Sequence, residues 1–176
     1  MNLNQNHFEL FDLPRQFAVD AATLDARYRE LQREVHPDRF ATASDAEQRL
    51  SMQYATRVNE AYRTLKSPLL RARYLLELAG VDAAVETNTA MPADFLMEQM
   101  EWREGLEEAG RMGDGCGLIR MDIQLRREMN EAFQNFAGEF ERGDLSAAAV
   151  TVRKLMFLDR LNEEIAAMQE KVETGS

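Results

Sequence analysis

Three consecutive residues, His36-Pro37-Asp38, could do chemistry. An imidazole two residues from a carboxylate is the raw material of a general base and its orienting group. Such a base also needs enforced geometry and a nucleophile within reach, and no nucleophile motif accompanies this one. The only cysteine, Cys116, sits in a glycine-rich GDGCG stretch. A single cysteine forms no internal disulfide and completes none of the two-cysteine zinc patterns. In such a stretch it reads as incidental rather than as a metal or cluster ligand. The second histidine, His7, reads as a surface or capping residue, not as half of a metal site. Neither a resident metal nor a cofactor is expected. An enzyme or metal protein using His36, Asp38 and Cys116 is the alternative of another class. What the tripeptide does offer is presentation. Pro37 lacks a backbone donor and disfavours helix at the residue before it, so a preceding helix should stop near Val35. His36 and Asp38 then stand on a connecting loop, where binding residues concentrate.

The elements that position this loop are helices. Period-two alternation and hairpin turns are absent, and helical periodicity runs through most of the chain. A short apolar segment (Phe8, Leu10, Phe11, Leu13) ends at Pro14. Asp20 or Thr23 can cap a helix to Val35 with the stripe Leu24, Tyr28, Leu31 and Val35. Ser44 or Asp45 opens a second long helix with the stripe Leu50, Tyr54, Val58, Ala61, Tyr62 and Leu65. Ser67-Pro68 breaks it, and LLRARYLLELAG makes a shorter helix ending at Gly80. Residues 81–92 lose the periodicity and carry Asp, Asn, Thr and Pro, which places a linker there. Three further helices are predicted, about Ala93–Arg111, Leu118–Glu141 and Leu145–Val172. Their two short connections imply an antiparallel three-helix bundle. The expected class is all-α, in two domains, 1–80 and 93–176.

The chain has 176 residues and a net charge of −10. That charge argues against nucleic acid or an anionic membrane as partners, because phosphate binding needs clustered Lys and Arg. MNLNQNHFEL has no basic stretch followed by an apolar run, and no segment approaches eighteen uncharged apolar residues. A cytoplasmic location is expected. Against this acidic background the helix before the loop stands out. With Leu24 at the centre of its buried face, Arg29 and Arg33 fall at about 140° and 180°, pointing outward. Arg27 flanks the apolar face and Arg39 follows the loop. The plainer reading is a solvated helix face interleaved with Asp25, Glu30 and Glu34.

The run LDARYRELQREVHPDRF followed by VNEAYRTLKSPLLRARYLL resembles the J domain of DnaJ-type co-chaperones. The resemblance implies an antiparallel helix hairpin with flanking short helices. It implies that Arg27, Arg29, Arg33, His36, Pro37, Asp38 and Arg39 dock on a DnaK-class chaperone and stimulate its ATP hydrolysis, with no chemistry of its own. Arg39 stands where the family often has lysine, and the charge is kept.

In the second half, two sets of apolar residues share one predicted helix. With Leu96 at zero, Phe95, Trp102 and Leu106 cluster near about 240–280°, a core stripe. Leu96, Met97 and Met100 occupy another sector beside Glu101 and Glu104, which suggests an apolar patch rimmed by acid. Phe157 lies about 160° from the core-facing Leu155 and is expected to point away from the core. DFLMEQMEWRE and TVRKLMFLDRLN resemble HscB-type co-chaperones of iron–sulfur cluster assembly, and the likeness spans the chain. It implies two partners, an HscA-type chaperone and an IscU-type scaffold. The scaffold surface would comprise Leu96, Met97, Met100, Glu101, Glu104 and Phe157. A J-domain protein serving a different client is the alternative within this class.

Overall fold

The computed structural model describes residues 4–40, 42–82 and 92–174, with the side chains of Pro37 and Asp38 outside the described set. Among the described residues all regular structure is helical, with no strand. The chain separates into two compact units, Met1–Leu78 and Ala79–Ser176. Most of the expected linker, residues 83–91, lies outside the described residues.

The first unit holds α1 (His7–Leu10), α2 (Ala21–Glu34), a 3-10 turn (Pro37–Phe40), α3 (Asp45–Lys66) and α4 (Pro68–Leu78). A four-residue helix has no stability alone. Helix α1 is held by a capping box, in which Asn6 accepts from the Glu9 N–H and the Glu9 carboxylate accepts from the Asn6 N–H. Burial of Phe8, Leu10 and Phe11 secures it further.

His7 departs from its expected surface role. It is buried, its ring stacks on Tyr74 at 4.2 Å, and its backbone N–H donates to the Tyr74 hydroxyl at 3.0 Å. The cause is non-local: Tyr74 of α4 lies over the ring and takes the His7 N–H, a pairing that local sequence does not signal. Burial lowers the His7 pKa below 6.5, the Arg57 charge lowers it further, and Glu60 opposes. The neutral ring is therefore the folded form. Its contribution to stability is complete above pH 6.5 and is lost as pH falls through 6.5 toward the folded value. The melting temperature of this unit should fall between pH 7 and 5 in the wild type and less so in His7→Phe, which keeps the stack. All four tyrosines lie in this unit, so near-ultraviolet tyrosine dichroism follows it; equal slopes for the two proteins would contradict the assignment.

Helices α2 and α3 form the hairpin that carries the loop. Asp20 caps α2 through the Thr23 N–H at 2.8 Å, and Ser44 caps α3 in a capping box with Glu47. Leu24 and Val35 pack from α2, and Tyr54, Val58, Ala61 and Leu65 from α3. Tyr28 stacks on Tyr62 at 3.9 Å. The Tyr28 hydroxyl donates to Asn59 Oδ1 at 2.8 Å and accepts from Gln32 Nε2 at 2.6 Å. Hydrogen bonds from Lys66 and Tyr62 hold the Asp25 carboxyl below its ordinary pKa. The expected α3 stripe needs one correction: Leu50 is exposed, and Ser51 takes the buried place. Pro68 opens α4 as a first-turn proline and cannot donate to α3. The Arg71 guanidinium instead donates to the Leu65 carbonyl and lies over the Phe17 ring, 5.0 Å from its centre.

The second unit is a bundle of α5 (Ala93–Met112), α6 (Gly115–Glu141) and α7 (Leu145–Thr174). The GDGCG stretch is less of a turn than expected. Gly113 takes φ 63° at the end of α5, and Asp114 caps α6 by accepting from the Gly117 N–H at 2.8 Å. Cys116 thus belongs to the first helical turn. A Cβ at position 117 would crowd the Asp114 carboxylate, which would have to shift to keep the cap. Trp102, Leu106 and Ala109 of α5 close on Leu118 and Leu125 of α6 and on Leu158, Leu161 and Ile165 of α7.

Candidate functional site

Two surfaces, one in each unit, carry the residues singled out above. Helix α2 ends with Val35, whose N–H still donates to Leu31 at 3.1 Å. The buried Ser51 hydroxyl donates to the Val35 carbonyl at 3.0 Å. This bond satisfies an orphan carbonyl at the helix end and ties the entry of the loop to α3. One residue on, the exposed His36 begins the 3-10 turn, its carbonyl accepting from the Arg39 N–H at 3.0 Å. Arg39 then folds back, and its Nη1 donates to the Arg33 carbonyl at 3.4 Å.

The result is an open groove of about 860 Å³. Arg29, Arg33, His36 and Arg39 line it together, over a floor that includes Val35. Arg29 and Arg33 lean back along α2, each donating from Nε to the carbonyl four residues before. The far wall belongs to α3 and comprises Ala55 and Asn59, with Gln32 opposite. Sequence reasoning missed this wall. The available signal was Asn59 at helical spacing from Tyr62 on a face that must meet α2. Three guanidinium groups around one imidazole make a local positive field in a protein of charge −10.

Arg27 does not join them. It pairs with Asp12 at 2.9 Å and Glu30 at 3.3 Å. Two residues of helix turn the chain by about 200°, which carries Arg27 to the other side of α2 from Arg29. The sides of Pro37 and Asp38 that were expected to bind lie outside the described residues.

In the second unit, Leu96, Met97 and Met100 are 50%, 62% and 62% exposed. Glu101 and Glu104 are exposed beside them. Phe95, Trp102 and Leu106 on the same helix are buried, as the wheel predicts. The expectation for Phe157 fails: it is half-buried, packed against the core, and meets Phe95 edge-on at 5.6 Å. Helix α7 packs against both α5 and α6, so its apolar arc is wider than a single stripe. Cys116 is exposed, and among the described residues no three His, Cys, Asp or Glu side chains gather to hold a metal. None of the described helices is long and apolar enough to cross a membrane.

A helix hairpin presenting this loop above an arginine face, followed by a separate helical bundle, is the architecture of a J-domain co-chaperone with a C-terminal bundle. Residues 91–166 match the family model described as the HSCB C-terminal oligomerisation domain. The chain is 53% identical over 175 residues to the co-chaperone protein HscB homolog of Aromatoleum aromaticum, covering 99% of each chain. Its fold is similar to the chaperone HscB from Vibrio cholerae, with TM-score 0.85, 37% identity, and 96% of this chain and 99% of that one covered. It is also similar to the human co-chaperone HscB, with TM-score 0.88, 34% identity, and coverage of 95% and 83%. The chain belongs to the HscB co-chaperone family, which is not a family of catalytic enzymes.

Proposed function

We propose that this protein stimulates the ATPase of an HscA/DnaK-class chaperone and delivers to it an IscU-type scaffold for iron–sulfur cluster maturation in the cytoplasm. The observation that carries the first half is the convergence of Arg29, Arg33, His36 and Arg39 on one groove whose loop is tied down by Ser51. A surface that performs no chemistry accelerates hydrolysis only by binding the hydrolysis-competent state of the ATPase better than the resting one. Each tenfold of stimulation asks for about 1.4 kcal/mol of that difference. Pro37 and Asp38 complete the loop, and the arginines steer an acidic surface toward it. Arg27, paired with Asp12 and Glu30 away from the groove, would join the chaperone contact only by leaving those partners.

The second half rests on Leu96, Met97 and Met100, whose exposed apolar area is rimmed by Glu101 and Glu104. Methionine suits an adaptable contact surface. Phe157 backs this surface through Phe95. The J domain spans residues 1–80 and the client-binding bundle 93–176. Covalent linkage of the two raises the effective concentration of scaffold at the chaperone.

The test is a steady-state ATPase assay of the cognate chaperone with this protein, with and without the scaffold. Stimulation should appear with this protein alone, rise further with scaffold, and shrink with added salt as the arginine steering is screened. No stimulation would refute the first half. Stimulation indifferent to the scaffold would point to a different client.

A further inference from the structure

Glu98 of α5, Glu128 of α6 and Lys154 of α7 meet in the second unit. Lys154 Nζ donates to both carboxylate oxygens of Glu98, at 2.9 and 3.0 Å, and both side chains are about two-thirds buried. Glu128 Oε1 accepts from Gln124 Nε2 at 3.0 Å. Glu128 Oε2 is buried and has no donor among the described residues. Glu98, held by Lys154, lies close enough to Glu128 to raise its pKa. The neighbouring Arg127 and Glu131 on α6 pair with each other at 3.6 Å. Two acids therefore face one lysine, and the lysine is already engaged by Glu98. A buried acceptor without a donor is costly, and two adjacent carboxylates cannot both ionise cheaply. A proton on Glu128 resolves both problems, because its O–H then donates to Glu98.

We propose that Glu128 holds a proton shared with Glu98, and that this pair and Lys154 form a clamp positioning the part of α5 that presents Leu96, Met97 and Met100 to the client. This rests on the reading of that patch as the scaffold surface. Glu98 follows Met97 directly and precedes Met100 by two residues, so whatever fixes Glu98 fixes their presentation. Lys154 also lies over the Phe95 ring, 5.7 Å from its centre, and the Phe157 edge closes on the same ring. Lys154, Glu98 and Glu128 are positioning residues.

Burial raises the Glu128 pKa above 4.5 and Glu98 raises it further, while Gln124 and Lys154 act against them. A raised folded value means the clamp is complete below pH 4.5 and loosens as pH rises through the folded pKa. Glu128→Gln replaces the shared proton with an amide donor of the same shape that does not titrate.

The experiment is calorimetric titration of an IscU-type scaffold into wild type, Glu128→Gln, Lys154→Met and Lys154→Arg from pH 4.5 upward to 8.5, the direction in which the raised Glu128 carboxyl loses its proton. Melts of each full chain are followed at Trp102, the only tryptophan. Wild-type affinity and bundle melting temperature should decline with rising pH relative to Glu128→Gln. That variant should bind several-fold tighter than wild type at the alkaline end. Lys154→Met should weaken binding several-fold and Lys154→Arg should restore most of it. The same scaffold is used throughout, so its own titration cancels in the comparison. Identical pH slopes for wild type and Glu128→Gln, or wild-type affinity in Lys154→Met, would overturn the clamp while leaving the patch intact. Absence of scaffold binding by the wild type at every pH would overturn the patch reading and the clamp with it.

Discussion

Replacing His36 with glutamine should abolish the proposed stimulation of the chaperone ATPase and leave scaffold affinity unchanged. Glutamine keeps the approximate size and one donor of the imidazole, so only specific recognition is lost. The loop should survive the change. Its geometry is set by backbone and buried partners: Ser51 to the Val35 carbonyl, and the Arg39 N–H to the His36 carbonyl. The side chain of His36 is exposed and contributes to groove wall rather than core. A loss of stimulation beyond tenfold corresponds to more than about 1.4 kcal/mol of lost preference for the hydrolysis-competent state. Charge loss at Arg29 or Arg33 acts differently. It should slow association in a salt-dependent way and be overcome by higher co-chaperone concentration. Scaffold binding, measured separately by calorimetry, should be untouched because the patch belongs to the other compact unit. Parallel loss of both activities would sink the two-surface reading.

The second large effect is expected from Leu96→Ala, Met97→Ala and Met100→Ala combined. These side chains are half or more exposed, so truncation removes little that the fold uses, and exposed substitutions usually stay within about 0.5 kcal/mol each. On docking they would be buried, and each large apolar side chain is worth about 1.5–3 kcal/mol when fully buried. Scaffold affinity should fall by far more than tenfold while the Trp102-monitored melt stays put. Phe157→Ala is the instructive contrast. Its ring packs against the core and against Phe95, so its loss should cost roughly 2–3 kcal/mol of bundle stability. If the triple variant melts like Phe157→Ala, the three residues are core and the patch does not exist.

The hairpin and its loop were legible because several local signals agree there. Pro37 stops α2, Asp20 and Ser44 cap the two helices, and the apolar stripes repeat at helical spacing. The split of α5 into a buried stripe and an exposed sector was legible for the same reason, since a wheel describes one helix facing one neighbour. It fails where a helix has two neighbours or where pairing is non-local. Phe157 is inward because α7 meets both α5 and α6. Ser51 displaces Leu50 because its partner is a backbone carbonyl sixteen residues earlier. His7 is buried by Tyr74, sixty-seven residues away. Arg27 could have been separated from Arg29 by angle alone, but its partner Asp12 lies in a loop that periodicity does not describe. The α3 wall of the groove depends on which faces of the hairpin oppose each other, and a single sequence does not specify that register.

The exposed sulfur on α5 has a chemical consequence. Met97 and Met100 are each 62% exposed on the patch that would dock the scaffold. Conversion to the sulfoxide turns a flexible apolar thioether into a polar, chiral group that fits an apolar contact poorly. Peroxide would thereby uncouple client capture while leaving the histidine loop able to trigger the ATPase, and methionine sulfoxide reductases would reverse the damage. The same softness that lets this surface adapt makes it an oxidant-sensitive part of the chain.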